Sequence, residues 1–282
     1  MSTTALAPSA TARPRRDAWW PPFAAIAVAV FVWWLLTTVV AGSDSLVREF
    51  APQHVLPALG DLISRGVLLP DIAASMWRLL VGLSIAAVVG IPLGLLIGLN
   101  PVVERASMPV VQFLRMISPL SWAPIAVALF GIGHQPVFFL IAAAAVWPIV
   151  INTAAGVHGI DPGHLLVARS FGATRLEQLT SVVLPAIRGQ VQTGLRVGLG
   201  IAWVVLVPAE MLGVRSGLGY QILNARDQLA YDQVMAVIVV IGALGFCLDW
   251  AARHLLRERR RPVPVEDADD PRSPAPPATG SR

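Results

Sequence analysis

The segment LLVGLSIAAVVGIPLGLLIGL, residues 79–99, runs for 21 positions without a charge. A helix needs about 17 to 25 mostly apolar residues to cross the roughly 30 Å hydrocarbon core of a bilayer, so this stretch alone places the chain in a membrane. Residues 23–41 meet the same criterion. Residues 116–133, 137–155, 197–212 and 234–252 are weaker matches, the last two because they contain Glu210 and Asp249. The reading is an all-α, polytopic helical membrane protein with about six transmembrane helices. Within the opening segment, Gly90, Gly94 and Gly98 recur at every fourth position and so share one helix face. Such a small-residue stripe lets a second helix backbone approach closely.

Composition agrees and removes several functions. Of 282 residues, 55% are hydrophobic and 13% charged, roughly half the charge of an ordinary soluble domain, which excludes a water-soluble enzyme of the usual kind. All 21 basic residues are Arg. Without a lysine there is no Gly-Lys-Ser/Thr phosphate loop, and therefore no P-loop nucleotide site in this chain. Cys247 is the single cysteine, so neither a disulfide framework nor a cysteine zinc site can form within it. His54, His134, His158, His164 and His254 lack the close helical spacing of a metal pair. No catalytic constellation and no metal site are expected, and nucleic acid is not expected as a partner.

The arginines instead report orientation. With the N-terminus inside, the cytoplasmic segments up to Arg261 hold 14 of them, among them Arg13, Arg15, Arg16, Arg169 and Arg175. The outside segments hold five: Arg48, Arg65, Arg78, Arg215 and Arg226. Basic residues near span ends are retained on the cytoplasmic side, which puts both termini in the cytoplasm. The chain divides into an N-terminal cytoplasmic tail (1–18), a transmembrane domain (19–255) and a C-terminal cytoplasmic tail (256–282) whose Pro- and Asp-rich composition from Pro262 onward predicts disorder. Val39-Val40-Ala41 resembles a signal cleavage site. The apolar stretch before it is longer than a signal peptide's core and carries Trp33-Trp34, so the first span reads as an uncleaved anchor.

About 40 residues, Gly156 to Arg196, separate the fourth and fifth spans, where bundle connections usually take about 2 to 8. This loop, about 156–193, must have structure of its own. Asp161-Pro162 reads as an N-cap followed by proline in the first turn, opening a helix to about Phe171, where Gly172 permits a stop. Thr174-Arg175-Leu176-Glu177 fits a capping box and starts a second helix. Leu176, Leu179 and Val183 form its narrow apolar stripe, and Pro185 disturbs it. The loop is predicted to be two short helices joined by a sharp glycine bend, a shape for docking into another protein.

These residues resemble the cytoplasmic signature of the membrane-spanning subunits of ATP-binding-cassette importers: Glu-Ala-Ala, three residues, Gly, nine residues, Ile-x-Leu-Pro. Here Leu166-Val167-Ala168 is followed by Gly172 and, after nine residues, by Val182-Val183-Leu184-Pro185. Ala168, Gly172, Leu184 and Pro185 match, and Leu166 stands where the family usually has Glu. Over roughly residues 56–255 the chain looks most like the permeases of nitrate, aliphatic sulfonate and taurine importers, through Leu69-Pro70-Asp71-Ile72, Ser75-Met76-Trp77-Arg78, Gly90-Ile91-Pro92-Leu93-Gly94, Phe130-Gly131-Ile132-Gly133, Ala209-Glu210-Met211-Leu212 and Ser216-Gly217-Leu218-Gly219-Tyr220. Similar permeases serve bicarbonate, cyanate and thiamine-precursor uptake. The resemblance implies the MetI-like fold of type I importer permeases and a non-catalytic transport subunit in a bacterial cell membrane. It implies as partners two ATPase subunits that carry the ATP and Mg, an extracytoplasmic solute-binding protein and a second permease, either another copy of this chain or a different one. It also implies that Ala173, Thr174, Arg175, Leu176, Glu177 and Gln178 form a coupling helix seated on the ATPase.

Other polar residues in the spans remain open at this stage. Glu210 is costly against lipid and either gates a cavity or serves structure, by capping a helix or pairing with Arg215. Ser118, Pro119, Ser121 and Pro124 interrupt the third span. Broken helices line transport pathways because freed backbone groups need polar partners or water, while the alternative is a simple proline kink. Trp122 and Asn152 join them as candidate pathway or gate residues. Asp249 and Arg253, four apart, predict a local ion pair. The spans show no mid-membrane Arg, so no anion-selective charge ring is expected, and solute choice is assigned to the external binding protein. The rival readings are an ion-coupled secondary transporter or channel, which usually needs several buried ionisable groups, and a membrane-embedded enzyme, which needs a catalytic cluster.

Overall fold

The computed structural model describes residues 20–40 and 46–255. The readings made for the tails at 1–18 and 256–282, and for the end of the first span at Ala41, lie outside the described residues. All regular structure in the described residues is helical. Its α-helices, in chain order and joined in places by single 3-10 or π turns, are α1 (Trp20–Leu35), α2 (Pro52–Ser64), α3 (Leu68–Leu99), α4 (Pro101–Met116), α5 (Ala123–Phe130), α6 (His134–His158), α7 (Pro162–Ser170), α8 (Arg175–Gln178), α9 (Leu184–Ala186), α10 (Arg188–Gly213), α11 (Leu218–Asp227) and α12 (Tyr231–Leu255). Four of these, α3, α6, α10 and α12, are long and apolar enough to span a membrane. The α4–α5 pair makes a fifth, broken span bent by 86°, and residues 23–39 form a shorter apolar helix.

Two span boundaries move. Helix α3 begins at Leu68 rather than 79 because Asp71 and Arg78, which end the apolar window, are buried and partnered inside the protein. Helix α10 begins at Arg188 rather than 197, because backbone hydrogen bonding carries a helix past the end of its apolar stretch. The third span is also corrected. It does not start at 116: α4 already occupies residues 101–116, launched by Asn100, whose Oδ1 accepts from Val102 N at 3.0 Å.

The glycine stripe fixes the centre of the bundle. A Cβ placed on Gly82, Gly90, Gly94 or Gly98 would fall within about 3 Å of Ile141, Ile149, Thr153 or Val157 respectively. Both numbers rise together along these pairs, so α3 and α6 run parallel with their backbones nearly in contact. Gly156 against Gln190, Gly194 against Asn152 and Gly198 against Ile149 run in opposite senses, so α10 is antiparallel to both. Helix α6 is the hub: 56% of its apolar window is buried, against 11% for α12. Around it lies the main core of Leu79, Leu140, Ile141, Ile149, Ala202 and Leu206. The outward faces keep Val88, Val204 and Phe246 exposed, as a helix bathed in lipid would.

Parallel α3 and α6 require the broken α4–α5 span to carry the chain back. The alternation then places the start of α1, the α6–α10 connection and the end of α12 at one end of the bundle. The α2, α11 and α12 start, packed through Leu62, Leu218 and Val237 with Trp33 against them, lies at the other.

Candidate functional site

Three arrangements of polar or exposed residues have no need to exist for packing alone. The first is the α6–α10 connection, which among the described residues spans Gly159 to Ile187 between the two long helices. Asp161 Oδ1 accepts from Gly163 N at 2.8 Å and caps α7. The other end of α7 closes in a Schellman pattern: Gly172 N donates to Arg169 O at 2.9 Å and Ala173 N to Ala168 O at 3.1 Å. Gly172 sits at φ +77°, a left-handed conformation that costs a β-branched residue most. Two residues later Thr174 opens α8 with a full capping box. Its N–H donates to Glu177 Oε2 at 2.7 Å and its Oγ1 accepts from Glu177 N at 3.3 Å. The Thr174 N–H, and after it the Thr174 hydroxyl, hold the Glu177 carboxyl below its ordinary value of 4.5. Gln178 Nε2 closes onto Ala173 O at 2.8 Å. Two caps back to back around a single glycine make a rigid corner.

That corner is anchored and its tip is bare. Leu179, Val183 and Ile187 pack with Val157, Leu95 and Leu165, and the turn Leu179–Val183 widens into a π-helix just before Leu184 and Pro185. The wider turn accommodates the proline that removes a donor from the α-helical ladder. Leu176 departs from the expected stripe: it is exposed, together with Leu166, Val167 and Phe171, the last at 87%. Behind the corner a cavity of about 490 Å³ is lined by Asn100, Arg169, Arg175 and Gln178 among others.

The second arrangement is the break between α4 and α5. Ile117 and Ser118 are extended, Pro119–Trp122 is a single 3-10 turn, and α5 follows. Two neighbouring cavities, of about 230 and 340 Å³, share Ile117, Pro119 and Trp147. Trp122 lines the first. Asn152 and Arg115 line the second, with Val197 and Ile201 of α10 opposite. Asn152 Nδ2 donates to Pro148 O at 2.8 Å. Ser118, Ser121 and Pro124 are exposed and line neither cavity. Arg115 carried no signal in the sequence beyond its charge.

The third is a buried polar cluster that corrects the reading of Glu210. Glu210 is 0% exposed and pairs not with Arg215 but with Arg78, Nη1 to Oε1 at 2.6 Å, which is also 0% exposed. Arg78 therefore lies inside a span, not outside one, and it is no ring-forming pore charge because its donors are spent internally. Its Nε donates to His134 Nδ1 at 3.0 Å, and Nη1 and Nη2 donate to Ser216 O and Oγ. Ser75 Oγ donates to Glu210 and accepts from Leu218 N at 2.9 Å. Asp71 Oδ1 accepts from Gly217 N at 2.6 Å, and Glu210 Oε2 from Gly219 N at 2.9 Å. A buried pair is retained without penalty only when its remaining donors and acceptors are satisfied in this way. The positions Asp71, Ser75 and Arg78 fall at i, i+4 and i+7, a helical period that a search for apolar stripes passes over. Asp249 and Arg253 do form the expected local pair on α12.

Among the described residues no group of three or more His, Cys, Asp or Glu is placed to hold a metal ion.

Residues 90–261 match the family of binding-protein-dependent transport system inner membrane components. The chain is 35% identical to the taurine transport system permease protein of Escherichia coli, over 82% of this chain and 86% of that one. It is 36% identical to the bicarbonate transport system permease protein of Synechococcus elongatus, over 84% and 89%. Among solved structures, a chain of the MetNI methionine ABC transporter superposes with a TM-score of 0.58 at 20% identity, covering 67% of this chain and 94% of that one.

Proposed function

The chain belongs to the binding-protein-dependent transport system inner membrane components, the permease subunits of ABC importers, and from that premise we propose how it works and what it carries. Two copies of this chain form the pathway, and the corner centred on Gly172 is the seat of the partner ATPase. The observation that carries this reading is the bare apolar tip of Leu166, Val167, Phe171 and Leu176 held on a doubly capped, internally anchored bend. Exposed apolar patches of that kind mark protein interaction sites. With no phosphate loop of its own, the subunit receives work through this contact. The tip lies at the same end as both described chain ends, and the arginine excess puts that end in the cytoplasm.

Closure of the ATPases swings two such corners together, and the rigid bend passes that displacement into α10 and α6 through Val183, Ile187 and Val157. A shift between states requires contacts that differ between them. The α4–α5 break, with its paired cavities facing α6 and α10, is where the pathway opens and closes. Ser118 and Ser121, exposed on this single chain, are then free to face the second copy. The solute is a small anion or zwitterion, of the class of nitrate, aliphatic sulfonate, taurine or bicarbonate. Its identity is set by the solute-binding protein that docks at the α11 end.

The test is solute uptake into vesicles carrying the permease with and without its ATPase. Uptake is expected only with ATPase, ATP and the binding protein together. Gly172→Val is expected to leave the permease in the membrane while ATP turnover and uptake lose their proportionality. Uptake by the permease alone, driven by an ion gradient, overturns the reading in favour of a secondary transporter.

A further inference from the structure

The Arg78–Glu210 cluster lies at the end of the bundle away from the Gly172 corner, touches neither of the cavities at the α4–α5 break, and is built more completely than a stray buried pair needs. One face of α3 supplies Asp71, Ser75 and Arg78, and α10 supplies Glu210. Apart from the bond from Arg78 to His134, everything they hold outside the cluster belongs to one short turn, Ser216 to Gly219, that leads into α11. Four successive residues of that turn are gripped through backbone atoms: Ser216 O by Arg78, Gly217 N by Asp71, Leu218 N by Ser75 and Gly219 N by Glu210. The turn cannot relax away from its holders. Gly217 sits at φ +99°, and a Cβ there would lie 2.5 Å from both Arg78 Nη1 and Glu210 Oε1. A Cβ on Gly219 would strike the carbonyl of Val207.

Beyond the turn, α11 buries Leu218, Gly219, Gln221 and Ala225 and turns Arg226, Asp227 and Gln228 outward. It is a short platform riding on a turn whose backbone is fixed to two spanning helices.

We propose that Asp71, Ser75, Arg78 and Glu210 are positioning residues that clasp the Ser216–Gly219 turn, so that α11, α3 and α10 move as one body and a protein seated on α11 acts directly on the spanning helices. The proposal rests on the transport reading above for the identity of that protein, the solute-binding protein. Its geometric half, a clasp that stays shut through the cycle, stands or falls independently. A spring-like or loosely tethered α11 would absorb the docking contact. A clasped one delivers it.

The experiment uses the full transporter in nanodiscs, with Cys247→Ser, since that thiol is exposed. Spin labels are introduced at Trp77→Cys on α3 and Gln228→Cys at the end of α11, both exposed positions. Pulsed distance measurements in the resting and ATP–vanadate states are expected to give one narrow distribution that does not shift. A wild-type distance that changes between the two states overturns the clasp. In Glu210→Gln the distribution is expected to broaden at least twofold. ATPase stimulation by loaded binding protein is expected to fall about tenfold, while basal ATP turnover stays within about twofold of wild type. A merely structural role lowers expression and basal turnover in parallel and leaves the ratio unmoved, which overturns the proposal. Should Glu210→Gln not assemble, Ser75→Ala removes the Leu218 and Glu210 bonds while leaving the ion pair, and the same ratio and the same widths are read. Wild type that shows no stimulation by any binding protein, with a narrow and constant label distance, refutes the transport reading while upholding the clasp.

Discussion

Replacing Gly94 by Ala adds one methyl group at a point of close backbone approach between α3 and α6. The new Cβ would lie 2.6 Å from Thr153 Cβ and 2.7 Å from Val150 O. Ordinary contact begins at about 3.4 Å, so the helices must part by about 0.8 Å or bend locally. Neither neighbour can step aside, since one is backbone and the other the β-carbon of a fully buried threonine. Overpacking of this kind costs about 1 to 3 kcal/mol, and a clash against backbone belongs at the upper end. Alanine recovers about 1 kcal/mol of helix propensity relative to glycine. The net effect is a loss of about 2 kcal/mol, or a fall of about 4 to 8 °C in Tm for a chain of this size. Gly200→Ala is the matched control: it lies within α10 with nothing within 4 Å of its would-be Cβ. That variant gains the propensity alone and rises by about 2 to 4 °C. Both are measured by thermal unfolding in nanodiscs, followed by the fluorescence of the nine tryptophans. Shifts of the same sign in the two variants would show that α3 and α6 are not in backbone contact, and the parallel central pair would be wrong.

Three further outcomes follow from the same geometry. Phe171→Ser, at a side chain 87% exposed, should leave the permease Tm within about a degree while co-purification of the ATPase falls at least tenfold; retention of the ATPase counts against the corner as its seat. Gly217→Ala should be worse than Gly66→Ala, because both sit at positive φ but only Gly217 has neighbours within 4 Å. The shared backbone strain costs about 1 to 3 kcal/mol, so the difference in Tm between the two variants isolates the clash with Arg78 and Glu210. The capping box should be pH-dependent with a definite sign. Because the Glu177 carboxyl is held below 4.5, its support for α8 is complete above that pH and is lost as the pH falls through the lower folded value. Hydrogen-exchange protection factors at residues 174–178 should fall on acidification through that window in wild type and stay flat in Glu177→Gln.

The corner was the most legible part of the molecule. Its caps are made between residues two to five apart, so Asp161, Gly172, Thr174 and Glu177 declare their geometry to anyone reading along the chain. The glycine stripe was legible for the same reason, although it named only a face and not the helix that covers it. Apolar windows located the spans but misplaced two starts and the whole of α4. Asp71, Arg78 and the polar first turns of α10 look like span ends when counted against water and lipid. Inside the fold Asp71 and Arg78 are satisfied by groups from other helices and turns, and α10 is carried through its polar first turns by backbone hydrogen bonding.

What the sequence determined by itself is therefore everything set by one helix or one turn: a helical membrane chain, the double cap at Gly172, and the absence of a nucleotide loop. What only the tertiary structure decided is every pairing across large separations. Arg78 with Glu210 is 132 positions apart and Asp71 with Gly217 is 146; no local rule chooses such partners. Arg215 lay nearer to Glu210 along the chain. A buried carboxylate takes the donor that packing delivers with its other hydrogen bonds already satisfied, and only the parallel seating of α3 beside α6, with α10 returning against them, delivered Arg78.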